Sequence, residues 1–274
     1  MAQNKKTATV LTHAGADPAA FHGVVNPPVH RASTIVFETL AEFDNIKKSP
    51  FYYGRAGTPT SLAFETAIAA VEGAAGTVSA PSGLSAISVC LLAFARAGGH
   101  ALIPDNVYGP TRKCAADLLA QYGVETEFYD PMLGEKIDSL MKMNTCLLFM
   151  EAPGSLTFEV GDIVAMAATA RKRGIVTILD NSWATPLLFK PLENGIDVSV
   201  MSATKYVSGH SDVLLGVASG TAASYPVLKK TALNLGICAG SEELYLGLRG
   251  LRTLEIRLRE HERRALEMAK WLEK

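Results

Sequence analysis

The chain is short of cysteine, of excess charge and of any long apolar run. Four cysteines stand among 274 residues, at 90, 114, 146 and 238, with no C-x-x-C pair. So sparse a set excludes a disulfide scaffold and reads as free thiols of a cytoplasmic protein. Lysine and arginine number 26 against 27 aspartate and glutamate, a net charge of -1. With no basic stripe to meet a phosphate backbone, nucleic acid is excluded as a partner. The most apolar stretch, Leu84 to Ala95, is broken by serines and ends at Arg96, too short to cross a bilayer. No apolar signal-peptide core follows the lysines near the N-terminus. There is no G-x-G-x-x-G, Walker loop or G-x-S-x-G, and no histidine pair at ligand spacing, so no metal site is expected.

What is present is material for a core. Hydrophobic residues make up 48% and charged residues 19% of the chain, enough to fill one large domain or two modest ones of about 150 residues. Residues 1 to about 55 read as irregular, with the turn-forming NPPVHRAS and YYGRAGTPT. Beyond them helical and short apolar segments alternate. Helices are expected over Leu62 to Val71, Leu84 to Ala95, Thr111 to Gln121 and Ile163 to Arg173, the last closed by Gly174. Strands are expected over Thr77 to Ala80, Ala101 to Pro104, Val124 to Tyr129, Thr145 to Met150, Ile175 to Leu179, Val198 to Met201 and Val213 to Ser219. This alternation predicts an α/β fold with a mostly parallel sheet. From Ser241 onward leucines recur at helical spacing among many charges, as one long helix or two in succession.

In such sheets ligands bind beyond the carboxyl ends of the strands. Three places there carry chemistry. Asp180 ends the IVTIL run, where a carboxylate needs a cation or hydrogen-bond donors; the plainer alternative is a turn cap. Lys205 lies among hydroxyls and glycines, a setting that predicts burial and a lowered pKa suited to imine chemistry, although most lysines are solvated. Ser82-Gly83-Leu84 stands where a strand turns into a helix, so its N–H groups could hold a phosphate. An amine, an acid and a phosphate cradle are what pyridoxal 5′-phosphate requires.

The segments DNSWATP (180–186) and DVSVMSATKYVSGHSD (197–212) resemble the cofactor-attachment region of the Cys/Met-metabolism, or transsulfuration, enzymes that depend on pyridoxal 5′-phosphate. FYYGR (51–55), PSGLSA (81–86), DNVYGP (105–110) and RGLRTL (249–254) extend the likeness, in family order, over about residues 10 to 274. The resemblance implies the aspartate-aminotransferase-like fold, type I. It implies an N-terminal arm over 1–58 that serves a neighbouring subunit, a cofactor-binding large domain over 59–250, and at 251–274 the start of a small C-terminal domain that is otherwise largely absent. Lys205 would carry the cofactor covalently, and Asp180 would face the ring nitrogen. Tyr108 would stack on the ring and assist proton transfer. Gly83 and Leu84 N–H groups would hold the phosphate with the hydroxyls of Ser202 and Thr204. Tyr53 and Arg55 would reach the phosphate of a neighbouring subunit, Tyr53 also counting among the catalytic residues. A homodimer or homotetramer is therefore implied, with a small amino-acid thioether as substrate.

EAPGSLTFEV (151–160) and Trp183 are similar to the family members that perform β-elimination. On L-cystathionine that reaction yields homocysteine, pyruvate and ammonia, a step of methionine biosynthesis. The alternatives are a γ-elimination or γ-replacement member, or a fragment that binds the cofactor without turnover or only assembles. The resemblance also implies an arginine for the substrate carboxylate beyond Lys274, and apolar faces on Leu251, Leu254 and Leu258 left without cover. His210 is read as a local hydrogen-bonding residue, and the arginines of 249–264 as a solvated helix face.

Overall fold

The computed structural model describes residues 7–274. The first six residues of the expected arm, and the side chain of Lys47, lie outside that description. In chain order the elements are α1 (Thr7–His13), α2 (Leu40–Asp44), α3 (Pro59–Glu72), β1 (Gly76–Ala80), α4 (Gly83–Phe94), β2 (His100–Pro104) and α5 (Gly109–Lys113). There follow β3 (Glu125–Tyr129), β4 (Thr145–Glu151), α6 (Ile163–Lys172), β5 (Val176–Asp180), α7 (Thr185–Leu188) and β6 (Val198–Met201). The chain closes with β7 (Gly216–Gly220), α8 (Tyr225–Leu235), α9 (Ser241–Leu251) and α10 (Leu254–Leu272).

Seven strands form one sheet in the order β1-β7-β6-β5-β4-β2-β3. β2 to β6 run parallel, and β7 runs antiparallel to both β1 and β6. The central strands are largely apolar because both faces are covered: β2 and β6 are buried throughout, and β4 up to Met150, whereas β3 at the sheet edge carries Glu125 and Glu127. One face packs on α4 and α8, through Ile87, Leu91, Ile103, Phe149, Val198 and Leu228. At one end of the other face α3, α9 and the start of α10 close over Met201, Val217 and Leu215. Ile163, Met166 and Ala170 of α6 cover Leu102, Leu148 and Leu179. Gly174 closes α6 with φ +67°, the left-handed conformation that its position predicts.

Three expectations need correction. Residues 1 to 55 are not wholly irregular, since α1 is a helix that seats Leu11 in the core beside Phe64 and Ile68. The helix expected over Thr111 to Gln121 opens two residues earlier and widens after Lys113 into a π-type turn over Cys114–Leu119. Leu251, Leu254 and Leu258 are not uncovered, for they belong to the same core as Phe64, Ile68 and Leu11. The apolar residues of the C-terminal segment that do face outward are Ile256, Leu266, Met268, Trp271 and Leu272.

Candidate active site

Parallel pairing puts the ends of β4, β5 and β6 side by side. Glu151 is paired with Asp180, and Asp180 with Val200. Asp180 is 9% exposed, and its carboxyl accepts from the Ser182 N–H at 2.9 Å. Ser182 Oγ accepts in turn from the Ser202 N–H at 2.7 Å, tying the two loops beyond β5 and β6 together. Burial pushes the Asp180 pKa above the ordinary carboxylate range, while the Ser182 donors and the nearby Lys205 ammonium pull it down.

The first turn of α4 completes this cluster. Its first helical bond runs from the Ala86 N–H to the Ser82 carbonyl, and Ser82 Oγ accepts from the Ser85 N–H at 3.1 Å. The Gly83 and Leu84 N–H groups precede that ladder, so they are left for an outside acceptor. A side chain on Gly83 would put its Cβ 2.7 Å from both Cβ and Oγ of Ser202, so only glycine lets this turn approach the loop so closely. The expected residues Asp180, Gly83, Leu84, Ser202 and Lys205 therefore share one end of the sheet.

Tyr108 joins them through its backbone. It stands before the first turn of α5, and its N–H donates to Glu151 Oε2 at 3.0 Å. Sequence reasoning missed Glu151 as a site residue. Neighbouring strands stand about 4.8 Å apart, where two full charges repel by about 3 kcal/mol at an effective dielectric of 20. Burial first, and the Asp180 charge second, raise the Glu151 pKa; the Tyr108 N–H only partly opposes them.

Other expected residues depart from the plan. Lys205 is exposed rather than buried, although Ala203 and Val207 on either side of it are in the core. Thr204 Oγ1 donates to the Leu215 carbonyl at 3.0 Å and accepts from the Leu215 N–H at 2.8 Å. A hydroxyl has one proton, so this one is already given to the backbone just ahead of β7 rather than to a phosphate. Arg55 and Tyr53 are exposed and stack on each other, the guanidinium carbon 5.7 Å from the ring centre, and Arg55 donates to the Leu233 carbonyl of α8 at 2.9 Å. Neither bonds to Asp180, Ser202 or Lys205. Arg55 lines instead a cavity of about 50 Å³ with Glu65, Ser79, Lys229 and Cys238, which shares no residue with the Lys205 cluster.

Two further groups were not legible as special. Arg257, one of the arginines expected on a solvated face, bonds the Tyr206, Val207 and Gly250 carbonyls at 2.6, 3.3 and 2.7 Å, fastening the loop that follows Lys205. Its neighbours Arg259, Arg263 and Arg264 do pair with glutamates on the helix surface. His100, Glu125 and Glu127, at the amino-terminal ends of β2 and β3, group as a cation site would, yet Lys142 Nζ already lies 2.8 Å from each carboxylate. His210 takes the local role expected of it, its Nδ1 2.8 Å from the Ser208 carbonyl.

A buried acid, an amine within its field and a helix turn pressed close by a glycine, all beyond the strand ends, fit a pyridoxal 5′-phosphate enzyme. Residues 8–274 match the family described as Cys/Met metabolism PLP-dependent enzyme. The chain is 48% identical over 271 residues to a Rhizobium johnstonii protein provisionally named a cystathionine beta-lyase, covering 99% of this chain and 68% of that protein. It is 40% identical over 282 residues to the L-alanine/L-glutamate racemase of Wolbachia pipientis, covering 98% of this chain and 70% of the racemase. The crystal structure of cystathionine gamma-lyase from Lactobacillus plantarum, with L-serine, superposes with a TM-score of 0.93 at 28% identity, over 98% of this chain and 69% of that one. The chain belongs to the Cys/Met metabolism family of pyridoxal-phosphate-dependent enzymes.

Proposed function

We propose that this enzyme cleaves the carbon–sulfur bond of L-cystathionine by β-elimination, giving homocysteine, pyruvate and ammonia. The observation that carries the reading is that β5, ending in Asp180, and β6, whose loop carries Lys205, are adjacent strands whose following loops are tied together by the Ser202 N–H to Ser182 Oγ bond of 2.7 Å. Lys205 would hold pyridoxal 5′-phosphate, Asp180 would face its ring nitrogen, and the Gly83 and Leu84 N–H groups with Ser202 would hold its phosphate. Bound there, the cofactor supplies an electron sink for the negative charge left at the substrate Cα.

The remaining steps belong to the chain. Lys205 Nζ would take the Cα proton and return a proton to the departing sulfur. Asp180, where the Ser182 N–H and the Lys205 charge oppose the rise that burial causes, would favour a protonated ring nitrogen when ionised. Tyr108 is fixed at its backbone and free at its ring, suited to lie over the cofactor. Tyr53 and Arg55 turn away from their own Lys205 cluster, which supports their serving a second copy of the chain, so that a homodimer or homotetramer forms the complete site. The four unpaired thiols suit a reducing, cytoplasmic setting; no helix among the described residues is long and apolar enough to cross a membrane.

Two relatives favour specific alternatives: the gamma-lyase structure a γ-cleavage, and the Wolbachia enzyme a racemisation. Product analysis with L-cystathionine and L-alanine separates them. Pyruvate from cystathionine supports the proposal, while 2-oxobutyrate, or D-alanine without pyruvate, overturns it.

A further inference from the structure

Glu151 has no part in the mechanism above, yet it is a partly buried carboxyl at the end of β4, in register with Asp180. The groups that face this pair come from four elements. Tyr108, ahead of α5, gives its N–H to Glu151; Lys205, in the loop beyond β6, contributes a charge that favours the ionised form of Asp180. The Ser182 N–H and hydroxyl attend Asp180 from its own loop. From α4 beneath, the fully buried Cys90 thiol feels the Asp180 charge, which with burial keeps that thiol protonated.

We propose that Glu151 is a positioning residue of the cofactor site: it carries the proton of the Glu151–Asp180 carboxyl pair, leaving Asp180 as the charged member, and it fixes Tyr108 through the backbone N–H. This rests on the cofactor reading and deepens it. Two adjoining carboxyls out of water do not both ionise readily. The donors are divided unequally, since Asp180 has the Ser182 pair and the lysine, and Glu151 has one amide N–H. The proton therefore stays on Glu151. Its Oε2 accepts from Tyr108 whether the group is neutral or charged, so the tether survives protonation.

The test uses the apoprotein, titrated with pyridoxal 5′-phosphate by absorbance, in wild type, Glu151→Gln and Glu151→Ala. Glutamine keeps the acceptor and stays neutral, so its affinity is expected within about threefold of wild type; alanine frees Tyr108 and weakens binding by about tenfold. The second readout is the melting temperature of the apoprotein from acid to mildly alkaline pH. Folding raises the Glu151 pKa from 4.5 to about 8, so wild type loses stability as pH rises from the ordinary carboxylate range to about 8 and is level beyond it, whereas Glu151→Gln shows no such fall. Alanine binding as tightly as wild type overturns the inference. So does glutamine binding as weakly as alanine, or melting curves of wild type and Glu151→Gln that stay parallel in pH. Should Glu151→Ala fail to fold, the glutamine variant decides through its pH profile. Failure of wild type to bind at any pH overturns the cofactor reading itself, whereas binding by wild type with unaltered variants overturns this inference alone.

Discussion

A Cβ on Gly83 would stand 2.7 Å from the Ser202 Cβ, so the first turn of α4 meets the loop after β6 with no space between them. Alanine there gains about 0.5–1 kcal/mol of helix propensity but meets an overpacking cost of about 1–3 kcal/mol. The clash wins, and the turn must swing away from Ser202. Gly83→Ala is expected to bind pyridoxal 5′-phosphate on the order of tenfold more weakly, by absorbance titration, with little loss of melting temperature.

Burial pushes the Glu72 carboxyl up to about 7 against its ordinary 4.5, despite the Ser199 hydroxyl that donates to it and the Lys190 charge. Below the unfolded value both states are protonated and the cost vanishes; it grows as pH rises and is complete once the folded form ionises. At most about 3 kcal/mol of stability is lost across that window. Denaturant unfolding of Glu72→Gln should match wild type near about pH 4 and exceed it by about 2–3 kcal/mol near about pH 8.

Leu254 and Ile256 lie on the same turn of α10, one in the core and one 71% exposed. Leu254→Ala is expected to cost about 2–5 kcal/mol, and Ile256→Ala less than about 1 kcal/mol. Equal effects in urea unfolding would mean that this helix does not join the core.

Arg257 and Arg259 look alike in sequence, but only Arg257 bonds loop carbonyls. Removing hydrogen bonds to a charged group costs about 1.5–3 kcal/mol each at the upper end, whereas an exposed ion pair contributes about 0–1 kcal/mol. Arg257→Ala should lower both melting temperature and cofactor affinity, since it releases the loop carrying Lys205. Arg259→Ala should leave both unchanged.

These contrasts mark what was legible in the sequence. β5 was plain because IVTIL is a continuous β-branched run, and its carboxylate end pointed at once to the site. α8 escaped notice, for YPVLKKTALNL mixes proline and lysines and buries only Leu228 and Ala232. The reversed direction of β7 is set by its connection to β6, which composition does not encode. Lys205 was expected buried from the hydroxyls and glycines around it, but adjacent side chains in a turn point different ways. Glu151 looked like a charge ending a strand. Only the pairing of β4 with β5 shows it facing Asp180, although two apolar runs each ending in an acid were a readable hint.

The central claim is that Lys205 holds the cofactor opposite Asp180. Reconstituting the apoprotein with pyridoxal 5′-phosphate, reducing with borohydride and mapping the peptides by mass tests it most directly. The account predicts the phosphopyridoxyl mass on the peptide containing Lys205, and its loss, together with the visible absorbance band, in Lys205→Ala. A label on another lysine, or none on the wild-type protein, would contradict it.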